Sequence, residues 1–94
     1  MNEYLPIELV NAVCANLGVD AEMVVSKRRY EELVIARHMI ALVLRDQYGW
    51  SKNRIGWALD RDRTTIDNSL EKARNLVDTD SRYEKLYLSL TMRG

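Results

Sequence analysis

Residues 51–73 read SKNRIGWALDRDRTTIDNSLEKA, and this stretch decides the fold of the chain. Apolar residues at helical spacing predict two helices, at 52–59 and 63–77, joined by a short polar turn. Ser51 and Asp62 stand where the two helices begin and are typical N-cap residues. Two helices joined by a tight turn indicate a helix-turn-helix, whose second helix enters the DNA major groove.

The start of the second helix carries side chains that can match base edges. Arginine pairs with guanine, asparagine with adenine, aspartate accepts from cytosine, and a threonine methyl packs on thymine. Recognition helices read bases with their N-terminal residues, whose free N–H groups also attract phosphate. The candidate readers are Arg61, Asp62, Arg63, Thr64, Thr65 and Asn68. A charged cap on a surface helix is the plainer interpretation, because Asp and Thr are also capping residues.

The chain before this stretch predicts supporting helices. A helix at about 6–17 and a short one at 21–25 are expected, with Met23 and Val24 inward. The first would bury Ile7, Val10, Cys14 and Leu17. The apolar stripe of 30–48, which includes Tyr48, predicts a central helix on which the others pack, with Arg37 and Arg45 off that stripe. Residues 26–29, Ser-Lys-Arg-Arg, predict a basic loop, either beside a phosphate backbone or simply solvated.

After the central helix, the sequence predicts helices that each bury one face, and the last of them closes the bundle. The helix at 63–77 would bury Ile66, Leu70, Ala73 and Val77. A last helix is expected to begin at Ser81, which forms a capping box with Glu84 and buries Tyr83, Leu86, Tyr87 and Leu90. Trp50 and Trp57 are expected in the core rather than stacked on bases. The fold class is therefore an all-α bundle of about six helices around a long central helix, one domain over residues 1–94.

Several function classes find no support in the sequence. The single cysteine, Cys14, excludes a disulfide framework and a cysteine-based zinc site, and suits a reducing cytosol. His38, the only histidine, has no second ligand nearby, so we expect no metal. There is no glycine-rich phosphate loop and no catalytic arrangement, so neither an enzyme nor a cofactor is expected. The most apolar run, 33–44, is too short to span a bilayer.

Charge is unevenly distributed along the chain, although the net charge is zero. Residues 1–25 carry four acids and no Lys or Arg, whereas residues 26–54 carry seven bases against three acids, or +4. From residue 55 on, seven bases balance seven acids. A basic middle can present a positive face to nucleic acid, with a salt-sensitive affinity.

Three blocks of the sequence resemble the C-terminal DNA-binding domain of the bacterial replication initiator DnaA. The first runs from Val13-Cys14 through Gly18-Val19 to the basic residues 24–29, and the second is 36–41, Ala-Arg-His-Met-Ile-Ala. The third, Ile55-Gly56 followed by 61–66, Arg-Asp-Arg-Thr-Thr-Ile, is similar to the family signature Ile-Gly … Arg-Asp-His-Thr-Thr-Val. The resemblance covers about residues 10–90 and implies a Trp-repressor-like helix-turn-helix fold.

The resemblance also implies roles for particular residues. Arg29, with Lys27 and Arg28 beside it, would enter the minor groove. The phosphate-contacting positions are Arg37, His38 and Arg45. The major-groove readers are Asp62, Arg63, Thr64 and Thr65, with Asn68 near the DNA.

Some positions depart from the family pattern. Arg63 replaces the usual histidine, which would change the base preference or tilt it toward guanine, and His38 replaces a glutamine. Glu31 stands where some members have a second loop arginine, and its carboxylate would repel phosphate. The turn 59–61 lacks the family's glycine pair and is one residue shorter than in many members.

The sequence-based hypothesis is a cytoplasmic, nucleoid-associated reader of double-stranded DNA, monomeric, with no membrane or small-molecule partner. It would serve replication or transcription control, with another replication or regulatory protein as a further partner. A whole gene this short, with no room for an ATPase domain, suits a phage or prophage regulator or a small host factor; a domain excised from a larger initiator-like protein is the alternative. The rival hypothesis is a protein-interaction module, such as an initiator mimic or phage structural partner, suggested by zero net charge and Glu31.

Overall fold

The computed structural model describes residues 4–92, which form five α-helices, one turn of 3-10 helix and no strand. The elements are α1 (Ile7–Leu17), the 3-10 turn (Ala21–Met23), α2 (Glu31–Asp46), α3 (Lys52–Leu59), α4 (Arg63–Thr79) and α5 (Ser81–Thr91). The predicted all-α fold and its long central helix are confirmed.

Helix α2 is the centre of the bundle. It contacts each of the other four α-helices, and its largest interface is with α4. Leu33, Ile40 and Leu44 on α2 are fully buried, as the apolar pattern predicts. Because an apolar helix surface is stabilised only where other elements cover it, α2 holds the helix-turn-helix and α1 in one body.

Local capping chemistry sets several helix ends where the sequence predicts them. Gly18 ends α1 in the left-handed conformation, with φ of 70°. The Ser51 hydroxyl accepts a hydrogen bond from the Arg54 N–H at 3.1 Å, and the Asp62 carboxylate accepts one from the Thr65 N–H at 2.7 Å. These caps satisfy N–H groups that have no partner within the helix, so both helices of the helix-turn-helix begin at the predicted residues.

Three apolar residues expected in the core are exposed instead. Ile7 is 72% exposed, because α1 buries the face that carries Leu9 and Val13. Tyr48 is 45% exposed, because α2 already ends at Asp46 and the chain turns away from it. Trp57 is 64% exposed, on the side of α3 that no helix covers, whereas Trp50 is buried as predicted.

Two predicted helix boundaries are also wrong. The predicted helix at 21–25 is a single 3-10 turn, with Val24 buried and Met23 half-buried. Helix α4 extends to Thr79, so Asp80 both follows α4 and caps α5 by accepting from the Arg82 N–H at 3.0 Å. The expected capping box of Ser81 and Glu84 is therefore replaced by Asp80.

The faces of α4 and α5 otherwise follow the prediction. Ile66, Leu70 and Ala73 on α4 are buried, and Val77 is half-buried. On α5, the buried residues are Tyr83, Leu86 and Leu90, with Tyr87 half-buried. Both helices thus close the bundle with the faces that the periodicity indicates.

Candidate nucleic-acid interface

The first turns of α4 present the predicted base readers to solvent. Arg63, Thr64, Thr65 and Asn68 are all exposed, while Ile66 between them is fully buried. The buried isoleucine anchors the helix on the core, so its neighbours in sequence have to face outward. This is the placement that a recognition helix requires, with its N-terminal residues free to contact base edges.

Asp62 combines the roles of helix cap and exposed carboxylate. The hydrogen bond from the Thr65 backbone N–H, followed by one from the Thr65 side chain, holds the pKa of Asp62 below its usual range. The carboxylate therefore stays ionised at neutral pH and is available as an acceptor at the edge of the surface. An acceptor of this kind matches the exocyclic amino group of cytosine.

The turn between α3 and α4 is unusually close to α3. Asp60 adopts the left-handed conformation, with φ of 56°, which a short polar side chain tolerates better than most. The Arg61 N–H donates to the Gly56 carbonyl at 2.9 Å. A Cβ atom at Gly56 would lie 2.7 Å from the Arg61 carbonyl oxygen. Gly56 thus allows the turn backbone to approach α3 closely, which a side chain at this position would prevent.

Arg37 lies in the interior, and its predicted position off the apolar stripe is wrong. It is only 6% exposed. Its guanidinium donates to four carbonyl oxygens around the basic loop, those of Met23, Val24, Ser26 and Arg28, at 2.6–3.1 Å. Because backbone oxygens occupy these donors, the Arg37 side chain holds the basic loop from the protein interior and does not extend to the surface.

Arg61 is also turned toward the backbone. Its Nη1 atom donates to the carbonyls of Leu59 and Asp60, at 3.0 and 2.9 Å, and its Nη2 atom donates to the Ser26 carbonyl at 2.7 Å. The side chain is half-buried. Arg61 therefore connects the turn of the helix-turn-helix to the basic loop.

A cavity of about 310 Å³ separates the basic loop from α4. Lys27, Arg29 and Arg61 line one side, and Thr65 and Ser69 of α4 line the other. Among the described residues that line it, every ionised side chain is a cation. Burial lowers the pKa of Arg37 at its base, and the charges of Arg61 and Arg29 lower it further. Cations held this close favour an anion such as a phosphate group.

His38 lies between this cavity and an apolar groove beside α4. Its buried Nδ1 atom has no hydrogen-bond partner within the described part of the chain. Burial, followed by the charges of Lys72 and Arg37, lowers its pKa to about 4. The imidazole is therefore neutral at pH 7 and brings no cationic charge to the surface.

A second cavity, of about 250 Å³, lies at the start of α3. It is lined by Arg45, Ser51, Lys52, Asn53 and Arg63. Arg63 lines this cavity and Thr65 lines the first, so the start of α4 lies between two cation-lined cavities.

Two residues of the second cavity, Lys52 and Asn53, were missed by the sequence reasoning. The signal for them was present in the Ser51 cap, because a capped helix N-terminus attracts anions. Lys52 also forms an ion pair with Asp67 of α4 at 2.8 Å, whereas the Arg45 guanidinium donates to the Trp50 carbonyl at 3.0 Å.

The predicted site residues are thus exposed, with the exceptions of Arg37, His38 and Arg61. The exposed ones are Lys27, Arg28, Arg29, Arg45, Asp62, Arg63, Thr64, Thr65 and Asn68. The bundle brings the basic loop, the start of α3 and the start of α4 together around the two cavities.

Comparison with known proteins identifies the family. Residues 6–73 match the family described as bacterial DnaA protein helix-turn-helix. This chain belongs to that family. Membership implies DNA binding, and the DnaA C-terminal helix-turn-helix is a binding domain rather than a catalytic one.

The curated relatives are chromosomal replication initiator proteins named DnaA. That of Pseudothermotoga lettingae is 30% identical over 79 residues, covering 83% of this chain and 18% of the relative. The protein of Ureaplasma parvum is 25% identical, covering 94% and 20%, and that of Thermomicrobium roseum is 30% identical, covering 99% and 20%. The chain spans about a fifth of the length of these relatives. No solved structure matches it.

The described residues give little support for thiol chemistry, metal binding or a membrane span. Cys14 is buried, and burial together with the nearby Asp20 charge raises the pKa of its thiol. Within residues 4–92, no three His, Cys, Asp or Glu side chains are placed to hold a metal ion. In the same range, no helix has the length and apolar character needed to cross a membrane.

Proposed function

We propose that this chain binds double-stranded DNA in a sequence-specific manner, with the start of α4 in the major groove. The observation that carries the proposal is the position of the exposed readers between two cation-lined cavities. In this arrangement, phosphates on either side of the groove would bind at the cavities, while Thr64, Thr65 and Asn68 face the bases. Asp62 would accept from a cytosine at the edge of the contact.

The basic loop would provide the second contact, in the adjacent minor groove. Arg28 and Arg29 are exposed, and the loop is held at both ends by the guanidinium of Arg37. Arginine suits the narrow, electronegative minor groove of A·T-rich DNA. Lys27, in contrast, pairs with Asp60 across 3.4 Å, so we assign it a weaker contact.

We assign Arg63 to the phosphate contacts. It shares its cavity with Arg45, Lys52 and Asn53, which lie on two other elements and would follow the DNA backbone. A cation at this position would strengthen binding to any sequence rather than select guanine. The salt dependence of binding by an Arg63 variant distinguishes a phosphate contact from a guanine contact.

The biological role we propose is control of replication or transcription from a specific site. The relatives that carry this domain are replication initiators, which supports such a role. We further propose that one copy of the chain binds one site. Sedimentation of the complex with a single-site duplex should give a 1:1 stoichiometry, whereas a 2:1 complex would contradict it.

The first experiment is selection from a random duplex pool at two salt concentrations, followed by sequencing. An enriched motif whose affinity falls with salt would support the proposal. Salt-sensitive binding without a motif would reduce it to non-specific DNA binding. Absence of binding at low salt would contradict it and favour the rival protein-interaction role.

Variants then test the assigned contacts on the selected duplex. Thr64→Ala and Arg29→Ala should each weaken binding by an amount worth roughly 1–3 kcal/mol, with little change in thermal stability. Lys85→Ala is the control, because Lys85 is an exposed cation on α5 that lines neither cavity, and binding should be unchanged. A loss of folding stability as large as the loss of binding would contradict direct contact.

A further inference from the structure

The carbonyl oxygen of Ser26 is shared by two arginines that come from different parts of the fold. The Nη2 atoms of Arg37, on α2, and of Arg61, in the turn before α4, each donate to it at 2.7 Å. Arg61 is 35 residues from Ser26 in sequence, so this hydrogen bond forms only in the folded protein. A carbonyl oxygen has two lone pairs and can accept both donors.

The basic loop has few other ties to the helix-turn-helix. Within residues 4–92, the backbone of residues 27–29 donates no hydrogen bond to another backbone group. The Arg28 N–H donates to the Ser26 hydroxyl at a long 3.3 Å. The ion pair of Lys27 and Asp60 joins two side chains that are 84% and 72% exposed, where such pairs hold weakly. The Arg61 guanidinium is therefore the well-formed link between the loop and the turn.

Arg61 reaches this position because of the turn geometry. Asp60 in the left-handed conformation and the Arg61 N–H bound to Gly56 fix the backbone, and the side chain folds over the carbonyls of Leu59 and Asp60. Asp62, the cap of α4, follows immediately. Any shift of the basic loop relative to Arg61 would therefore also shift the loop relative to the start of α4.

We propose that Arg61 is a positioning residue that sets the spacing between the basic loop and the recognition helix. With Arg61 in place, the residues that contact the minor groove and those that contact the major groove would lie at one fixed distance from each other. DNA would then bind both sets without having to order the loop first. This role rests on the proposed function and assigns to Arg61 a task other than base reading.

A double-mutant cycle separates positioning from direct contact. On the selected duplex, Arg29→Ala should weaken binding about tenfold in the wild-type background but less than about threefold alongside Arg61→Met. Thr64→Ala should weaken binding by the same factor in both backgrounds. Arg61→Lys should recover part of the coupling, since an ammonium can still donate to the Ser26 carbonyl. Arg74→Met, which removes an arginine contact that lines neither cavity, should leave the Arg29 effect unchanged.

A measurement without DNA tests the same link independently. Amide hydrogen exchange at Ser26 and Arg28, the loop residues whose N–H groups are hydrogen-bonded, should be faster in Arg61→Met than in the wild type, while exchange in α2 and α5 stays unchanged. Additive effects of Arg61→Met and Arg29→Ala would overturn the positioning role while leaving DNA binding intact. Unchanged exchange in the loop would overturn it as well. A wild-type chain that binds no duplex would overturn the proposed function itself.

Discussion

Two arginines at the candidate interface and two outside it are held by different acceptors. Away from the candidate interface, Arg74 donates to both carboxylate oxygens of Asp46, at 2.8 and 3.1 Å, and Arg82 pairs with Asp80. At the interface, Arg37 and Arg61 donate to backbone carbonyls. A carboxylate cancels the charge of its arginine, whereas a carbonyl satisfies the hydrogen bonds and leaves the charge in place.

The pKa values follow the same division. The hydrogen bond that Arg74 donates to Asp46 is the main cause that raises the pKa of Arg74, and the bond that Arg82 donates to Asp80 does the same for Arg82. The pKa of Arg37 is lowered by burial and then by its cationic neighbours. Arg37 and Arg61 thus keep their charge beside carbonyl oxygens, whereas carboxylates offset the charges of Arg74 and Arg82; among the interface lysines, Lys27 pairs with Asp60 and Lys52 with Asp67. This difference allows a chain of zero net charge to present a positive surface to DNA.

Arg37→Met should produce the largest effect. The substitution removes the donor to the Val24 and Arg28 carbonyls, whereas the Ser26 carbonyl keeps Arg61, and buried unsatisfied groups are costly. We expect a loss of about 3 kcal/mol in the free energy of unfolding, measured by urea denaturation. Arg45→Met, which removes a single partly buried hydrogen bond, is the matched control and should cost less than about 1.5 kcal/mol. An equal loss of unfolding free energy in the two variants would show that the carbonyls around the basic loop do not depend on Arg37.

The next largest effect concerns His38 and pH. Its folded pKa of about 4 lies below the ordinary value of 6.5, so the unfolded chain binds a proton between these pH values that the folded chain does not. The stability is fully present above pH 6.5 and falls as pH decreases toward 4. The expected loss is about 2 kcal/mol, reduced from the full shift because the ring is only half-buried.

The variant His38→Gln tests this dependence, because glutamine does not titrate. The difference in unfolding free energy between wild type and variant should change across pH 4–6.5 and be constant above it. A difference that stays constant over the whole range would mean that His38 titrates normally in the folded chain.

Arg63→Ala should have a smaller effect, on binding alone. If Arg63 contacts a phosphate, affinity should fall about tenfold on every sequence, and the slope of log K against log salt should decrease by about 1. Thr64→Ala, its neighbour on α4, should change the selected motif and leave that slope unchanged. A lost preference for guanine in Arg63→Ala, with an unaltered slope, would make Arg63 a base reader.

Arg74→Met should have the smallest effect. The pair with Asp46 is partly exposed, so its removal should cost about 1 kcal/mol of stability. DNA affinity should stay within about twofold of the wild type when measured by fluorescence anisotropy, because neither residue of the pair lines either cavity. A large loss of affinity would mean that the Arg74–Asp46 pair also takes part in binding.

Much of the fold could be predicted because its signals are local. The caps at Ser51 and Asp62 act on N–H groups three residues away, and Gly18 ends α1 by its own conformation. The exposed readers on α4 followed from the periodicity of Ile66, Leu70 and Ala73. Trp57 was misjudged because its size suggested a core position, whereas exposure depends on which helices cover α3.

The sequence by itself therefore determined the all-α class, the helix-turn-helix and the residues that could read DNA. Only the tertiary structure decided which cations face outward. Arg37 bonds to carbonyls 9–14 residues away, and Arg61 bonds to one 35 residues away. Helical periodicity and capping act within about one turn of the chain, so they carry no information about such pairings. The contacts of these two arginines depend on the bundle, which places the basic loop against the turn.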